Sequence, residues 1–281
     1  MFESRGRIRW RQKRFAVSSL ALAGTLAFSQ VLIAQAAKTH ASSPSGSSAA
    51  AAATSQKASP PDLTGFWTQA RPPAVASQYW VYEFSPEEPP MTPWAEAQYK
   101  AAKPSFGPHS FSIAETNDPV YHGCFPPGVP RVYLHPFPMQ IVQIPGQVTI
   151  LYEYDNLSRR IYTDGTPHNL DVPPTWMGDS IGKWEGDTLV ADTVNFNEKT
   201  WLDRVGHPHS GELHLTERFR RPDPKSLQIE ITIEDPKAYT KPWTAHLYYS
   251  LRPGWKLLEQ FCEDNDTFLD LEKQETAAPA K

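Results

Sequence analysis

Residues Glu212–Glu234 read ELHLTERFRRPDPKSLQIEITIE, and their alternation decides the fold. Leu227, Ile229, Ile231 and Ile233 fall on one side of an extended chain, and Gln228, Glu230, Thr232 and Glu234 on the other. Leu213, Leu215 and Phe219 share a face in the preceding run. Between the runs lies Pro222-Asp223-Pro224-Lys225, a turn composition. The stretch therefore predicts two half-buried strands, Glu212–Arg221 and Ser226–Glu234, in one hairpin. The same pattern recurs on both sides. Met139–Ile144 and Gln147–Tyr154 flank Pro145-Gly146. Ser180–Trp184 and Thr188–Phe196 flank Glu185-Gly186-Asp187, and Trp243–Leu251 and Trp255–Phe261 flank Pro253-Gly254. Four consecutive hairpins, each strand with one apolar face, predict an antiparallel meander that closes as a barrel or a barrel-like sandwich. No long helices alternate with the strands, which excludes a parallel α/β sheet.

The region before this meander differs. Pro72, Pro73, Pro86, Pro89, Pro90, Pro93, Pro104 and Pro108 crowd it. The whole chain of 281 residues holds 28 Pro, too many for a helical bundle. One helix is expected at Thr92–Ala102, with Thr92 as N-cap, Pro93 in the first turn and Pro104 beyond the end. The rest reads as extended chain wrapped on the sheet.

The N-terminus carries Arg5, Arg7, Arg9, Arg11, Lys13 and Arg14, then a largely apolar run from Phe15 to Ala36 ending in Ala34-Gln35-Ala36. This pattern predicts a secretory signal peptide at 1–36. Ser18, Ser19, Thr25, Ser29 and Gln30 argue against the alternative, a retained membrane anchor. Residues 37–61 contain no Val, Ile, Leu, Met or aromatic residue and read as a disordered Ala/Ser/Pro linker. A single β-rich domain is expected at 62–271, followed by a polar tail at 272–281. The chain has a net charge of −4; removing six bases and one acid from its 27 and 31 leaves about −9. An acidic, exported protein is a poor partner for nucleic acid or anionic lipid. With the signal removed, no permanent membrane span is expected, and the location is periplasmic or secreted. In such an oxidising compartment Cys124 and Cys262 are expected to form a disulfide.

Two clusters carry candidate chemistry. His207-Pro208-His209 with His214 offers three imidazoles, a donor set suited to zinc with one open position. The alternative is a solvated polar loop with His214 on the outer face of its strand; separately, Asp203 is a candidate to orient His207 through a hydrogen bond, with an Asp–Arg surface pair as its alternative. The second cluster consists of carboxylates in the phase of apolar faces. Asp192 shares parity with Val190, Val194 and Phe196; Glu217 with Leu213, Leu215 and Phe219; Glu259 with Trp255, Leu257 and Phe261. Carboxylates on apolar faces are costly unless paired or protonated. They imply either a polar pocket for acid–base work or pairing with Arg131, Arg159, Arg160, Arg204, Arg218 or Arg220. Asp164 and His168, in the run Tyr162–His168, belong to an Asp-Gly turn that reaches a pocket mouth at most.

Leu63-Thr64-Gly65-Phe66-Trp67 resembles the G-x-W opening of lipocalin-like barrels, which implies a Trp closing one barrel end. CFPPGVPR at 124–131, SIGKWEGDTLVADT at 180–193, TWLDRVGHPHS at 200–210, LHLTERFRR at 213–221 and DPKAYTKPWT at 235–244 resemble an exported bacterial family of unknown function. That resemblance implies export and no activity. The leading functional expectation is binding of a small, partly apolar molecule in the barrel. A periplasmic enzyme using Glu217, Asp192, Glu259, His207 and Asp203 is the alternative, and an extracytoplasmic interaction module is the third.

Overall fold

A computed structural model describes residues 61–73 and 79–262. The expected signal peptide, nearly all of the linker, and the polar tail lie outside these residues. The described chain belongs to one compact unit, Gln56–Lys281.

Nine strands close into a barrel in sequence order: β1 (Gly65–Ala70), β2 (Met139–Ile144), β3 (Gln147–Tyr152), β4 (Ser158–Tyr162), β5 (Asp179–Glu185), β6 (Thr188–Val194), β7 (His214–Asp223), β8 (Ser226–Glu234) and β9 (Trp243–Leu251). Closure is made by β1 against β9, antiparallel, with Trp67 opposite Leu251, the last residue of β9. The indole of Trp67 is fully buried at that end, and its Nε1 donates to Leu63 O at 3.1 Å. Arg221 covers the ring from 5.3 Å.

The three inner hairpins form as their turn residues predict. One pairing departs from a pure meander. β4 and β5 run parallel, joined at Ile161–Ser180 and Tyr162–Ile181. The connection 163–178 is long enough to carry the chain back to the same barrel end, which a tight turn cannot do.

Residues 255–261 are not a strand. β9 already has β8 on one side and β1 on the other, so no ladder remains for a tenth strand. The segment instead runs along the β3–β4 connection. Leu258 N donates to Glu153 Oε2 at 2.9 Å, and Gln260 Oε1 accepts from Asp155 N at 2.8 Å. Trp255 and Phe261 are consequently exposed, as is Glu259. The disulfide Cys124–Cys262 then ties this segment to the Pro-rich wrap.

The wrap lies between β1 and β2. Its main helix, α1 (Pro93–Ala101), starts where proline demands, with Thr92 Oγ1 accepting from Ala95 N at 3.3 Å. A short helix, α2 (Pro119–His122), and a 3-10 turn at Arg131–Leu134 follow. The turn sends Tyr133 into the barrel, where it meets Tyr152 edge-on. Ile141, Ile150, Ile161, Leu189, Leu215, Phe219, Ile229, Ile231 and Leu247 fill the space around it.

Candidate functional site

Glu217 lies inside the barrel, as its parity predicts, and is fully buried. β7 places it opposite Ala191 of β6 and Ile231 of β8. Its carboxylate faces no open pocket. Arg159 Nη1 donates to Oε1 at 2.9 Å, Arg159 Nη2 donates to Oε2, and the Tyr133 hydroxyl donates to Oε1 at 2.8 Å. The other guanidinium contacts go to Ser180, Thr193 and the Tyr133 hydroxyl, at 3.0, 2.7 and 2.8 Å. This is the Arg-pairing alternative, and it resolves the cost of a buried carboxylate. The paired guanidinium is held charged: burial opposes the charge, but Glu217 and Tyr133 outweigh it and raise the Arg159 pKa.

Asp192 is on the outer face, a correction to the parity argument. β6 carries apolar residues at both parities, Leu189 and Ala191 as well as Val190 and Val194. Pairing with β7 turns Leu189, Ala191 and Thr193 inward. Outside, Asp192 joins a chain of alternating acids and imidazoles. His168 Nδ1 meets Asp179 Oδ2 at 2.7 Å and its Nε2 meets Asp192 Oδ1 at 2.7 Å. His214 Nε2 meets Asp192 Oδ2 at 2.8 Å, and its Nδ1 lies 3.5 Å from Glu234 Oε2. Glu259, exposed and outside any strand, drops out of the interior set.

The three histidines proposed as metal ligands do not share a centre. His214 belongs to the outer chain just described. His207 is buried between two carboxylates, with Nδ1 at 2.5 Å from Asp203 Oδ2 and Nε2 at 3.0 Å from Glu88 Oε2. His209 turns Nδ1 to its neighbour's carbonyl, Ser210 O, at 3.2 Å. Among the described residues no group of three His, Cys, Asp or Glu is disposed to hold a metal ion. The physical reason is local: Asp203 also accepts from the amides of Val205, Gly206 and His207, which coils the loop so that successive histidines face different ways.

That loop is nevertheless the centre of the best-formed polar site. Asp203 orients His207 as its spacing predicts. Burial disfavours the imidazolium, but Asp203 and then Glu88 overcome it and hold the His207 pKa up at about 10. Tyr99 of α1 stacks on the ring, with centroids 4.4 Å apart. Glu83, half-buried nearby, is raised to about 7, by burial first and then by Asp203. Gly206 makes this approach possible: its φ is +102°, and a Cβ there would lie 2.6 Å from Ala102 Cβ.

On the other side of the loop is a cleft of about 250 Å³, lined by Trp94, Gln98, Trp201, His209 and Lys237 among others. Trp94 and Gln98 share one face of α1, one turn apart. His209 is 6% exposed, and burial lowers its pKa, so it is neutral. Ser210 O fixes the proton on Nδ1, leaving Nε2 as an acceptor without a protein partner among the described residues. Asp235 anchors the loop, accepting from Ser210 N at 2.6 Å and Ser210 Oγ at 2.8 Å.

Glu83, Glu88, Trp94, Gln98 and Tyr99 escaped the sequence reading. All five come from the Pro-rich wrap, far in sequence from the histidines they meet. The helix start at Pro93-Trp94 was the one legible signal, and it marks α1 without saying what α1 covers.

No protein-family model matches this chain, and no curated protein matches it.

Proposed function

We propose that this is an exported protein that binds a small molecule with one flat, weakly polar face and a hydrogen-bond donor. Its site is the cleft between α1 and the 198–209 loop, rather than the barrel lumen of the sequence-based expectation. The barrel geometry is compatible with small-molecule binding, but Arg159, Glu217 and Tyr133 fill the interior. The observation that carries the reading is His209: a buried neutral imidazole with an unpartnered acceptor nitrogen in a cleft that two indoles help to line. Such a mix of aromatic wall and few polar anchors is the usual composition of a small-molecule site. A hydroxyl-bearing ring, such as a sugar, satisfies both parts, with its face on an indole and one hydroxyl donating to His209 Nε2. No described helix is long and apolar enough to cross a membrane, and the disulfide suits an oxidising compartment.

One observation favours the acid–base alternative. Glu83, with a pKa near 7, lies beside the Asp203–His207 pair, a poise suited to proton transfer. One experiment addresses both. Mono- and oligosaccharides are titrated into the protein while Trp fluorescence is followed, and the mixtures are checked for turnover. Saturable quenching that is lost in Trp201→Ala and His209→Ala is expected. Absence of quenching across the panel, or binding untouched by both variants, overturns the cleft assignment. Turnover that disappears in Glu83→Gln, with binding kept, selects the enzyme.

A further inference from the structure

Beside Trp201 the wrap encloses a cationic cluster whose arginines and His135 do not line the cleft. Arg131, Arg204 and His135 are 0, 5 and 2% exposed. Arg131 Nη2 donates to Asp118 Oδ2 at 2.6 Å, but its Nε and Nη1 have no partner among the described residues. Arg204 Nη1 donates to Val81 O at 2.7 Å and Leu134 O at 3.2 Å, and Nη2 to the Tyr121 hydroxyl at 3.4 Å; its Nε has no partner. Both ring nitrogens of His135 lack one too. The guanidinium groups are stacked on rings, Arg131 on Trp201 at 5.6 Å and Arg204 on Phe106 at 3.7 Å. Among the described residues the unpartnered guanidinium edges are therefore all N–H groups, and the His135 ring adds one N–H and one acceptor nitrogen.

Among the described residues the charges do not balance. Two guanidinium groups face one carboxylate, Asp118. His135 adds no charge: burial first, then Arg204 and Arg131, push its pKa well down. Asp155, the other acid near these rings, is only half-buried and accepts from the Cys262 amide at 3.4 Å. Water can accept from the orphan N–H groups but cannot offset the remaining positive charge. A buried charge without a counter-ion is strongly unfavourable, and guanidinium edges are the preferred protein donors to anions.

We propose that Arg131, Arg204 and His135 form an internal anion site that takes a monovalent anion between halide and formate in size. The anion accepts from Arg131 Nη1 or Nε, from Arg204 Nε and from one His135 N–H. It joins the wrap at 118–135 to the loop that carries the cleft. The site stands independently of the cleft's ligand.

Crystals of the protein soaked in bromide test it directly. An anomalous peak within hydrogen-bonding reach of Arg131 and Arg204 is expected, and formate should displace it. His209→Ala should leave the peak in place, which separates this site from the cleft. Absence of the peak overturns the proposal. In solution, Tm should rise by about 3–6 °C per tenfold increase in bromide above the dissociation constant, as mass action requires for a domain of this size. Arg204→Gln should flatten that slope. An equal slope in both proteins also overturns the proposal.

Discussion

Replacing Glu217 by Gln keeps its shape and removes its charge, which leaves the Arg159 guanidinium buried without a counter-ion. That loss should cost about 3–5 kcal/mol in urea unfolding. The double variant Arg159→Met with Glu217→Leu should recover most of it, because the apolar pair needs no counter-ion. If Glu217→Gln is neutral, the pair is not the barrel's polar anchor. The residue's own neighbours in sequence show that it is inside, since Leu215 and Phe219 flank it in phase. They do not show that Arg159 is its partner. Several arginines had suitable chemistry, and only the folding of β4 against the far side of the lumen selects one. Asp192 illustrates the converse. With apolar residues at both parities of β6, the one-dimensional pattern has two solutions, and the ladder with β7 picks the one that sends Asp192 outward.

At the scale of elements, the acid–imidazole chain on the outer face links four strands through one loop. Asp179 is on β5, Asp192 on β6, His214 on β7 and Glu234 on β8, with His168 bridging from the β4–β5 connection. Burial works against the His168 imidazolium, but hydrogen bonds to Asp192 and Asp179 prevail and raise its pKa. Asp192 is shifted down: burial raises it, and His214 and His168 more than compensate. The signs are opposite. A raised histidine contributes stability that is complete below its unfolded pKa, about 6.5, and is lost as pH rises through the folded value. A lowered aspartate contributes stability present above about 3.9 and lost as pH falls through its folded value. Stability should therefore peak between these limits and decline above about pH 6.5, a decline to which the raised His207 also contributes. In His168→Gln the alkaline decline should shrink. An alkaline decline of equal size in His168→Gln and the wild type would remove the bridge from the account. None of this chain was legible beforehand: Asp164–His168 reads first as a turn, and the partners come from two hairpins.

For the molecule as a whole, the barrel closes through β1 and β9, while the wrap between β1 and β2 is fastened separately. Its covalent fastening is Cys124–Cys262, which spans 138 residues. Constraining so long a loop in the unfolded chain is worth roughly 2–5 kcal/mol. Reduction, or Cys124→Ser with Cys262→Ser, should lower the unfolding free energy by about that amount. Two titratable thiols in the unreduced native protein would disprove the link. The pairing was legible from the expected compartment and the cysteine count together. The course of the tail that brings Cys262 there was not: Trp255–Phe261 has the alternation of a strand, but the closed barrel offers no free edge.

Three of the four expected hairpins, the helix start at Thr92 and the inward phase of Glu217 were determined by sequence alone, because period-two patterning, proline and turn chemistry act between near neighbours. Barrel closure through β1, the parallel β4–β5 pair and the outward turn of Asp192 were decided only by the tertiary structure. So was the meeting of the wrap's Glu83, Glu88 and Tyr99 with the Asp203–His207 pair. Those features depend on ladder registry and on contacts between segments more than a hundred residues apart, where local pattern carries no information about which partner arrives.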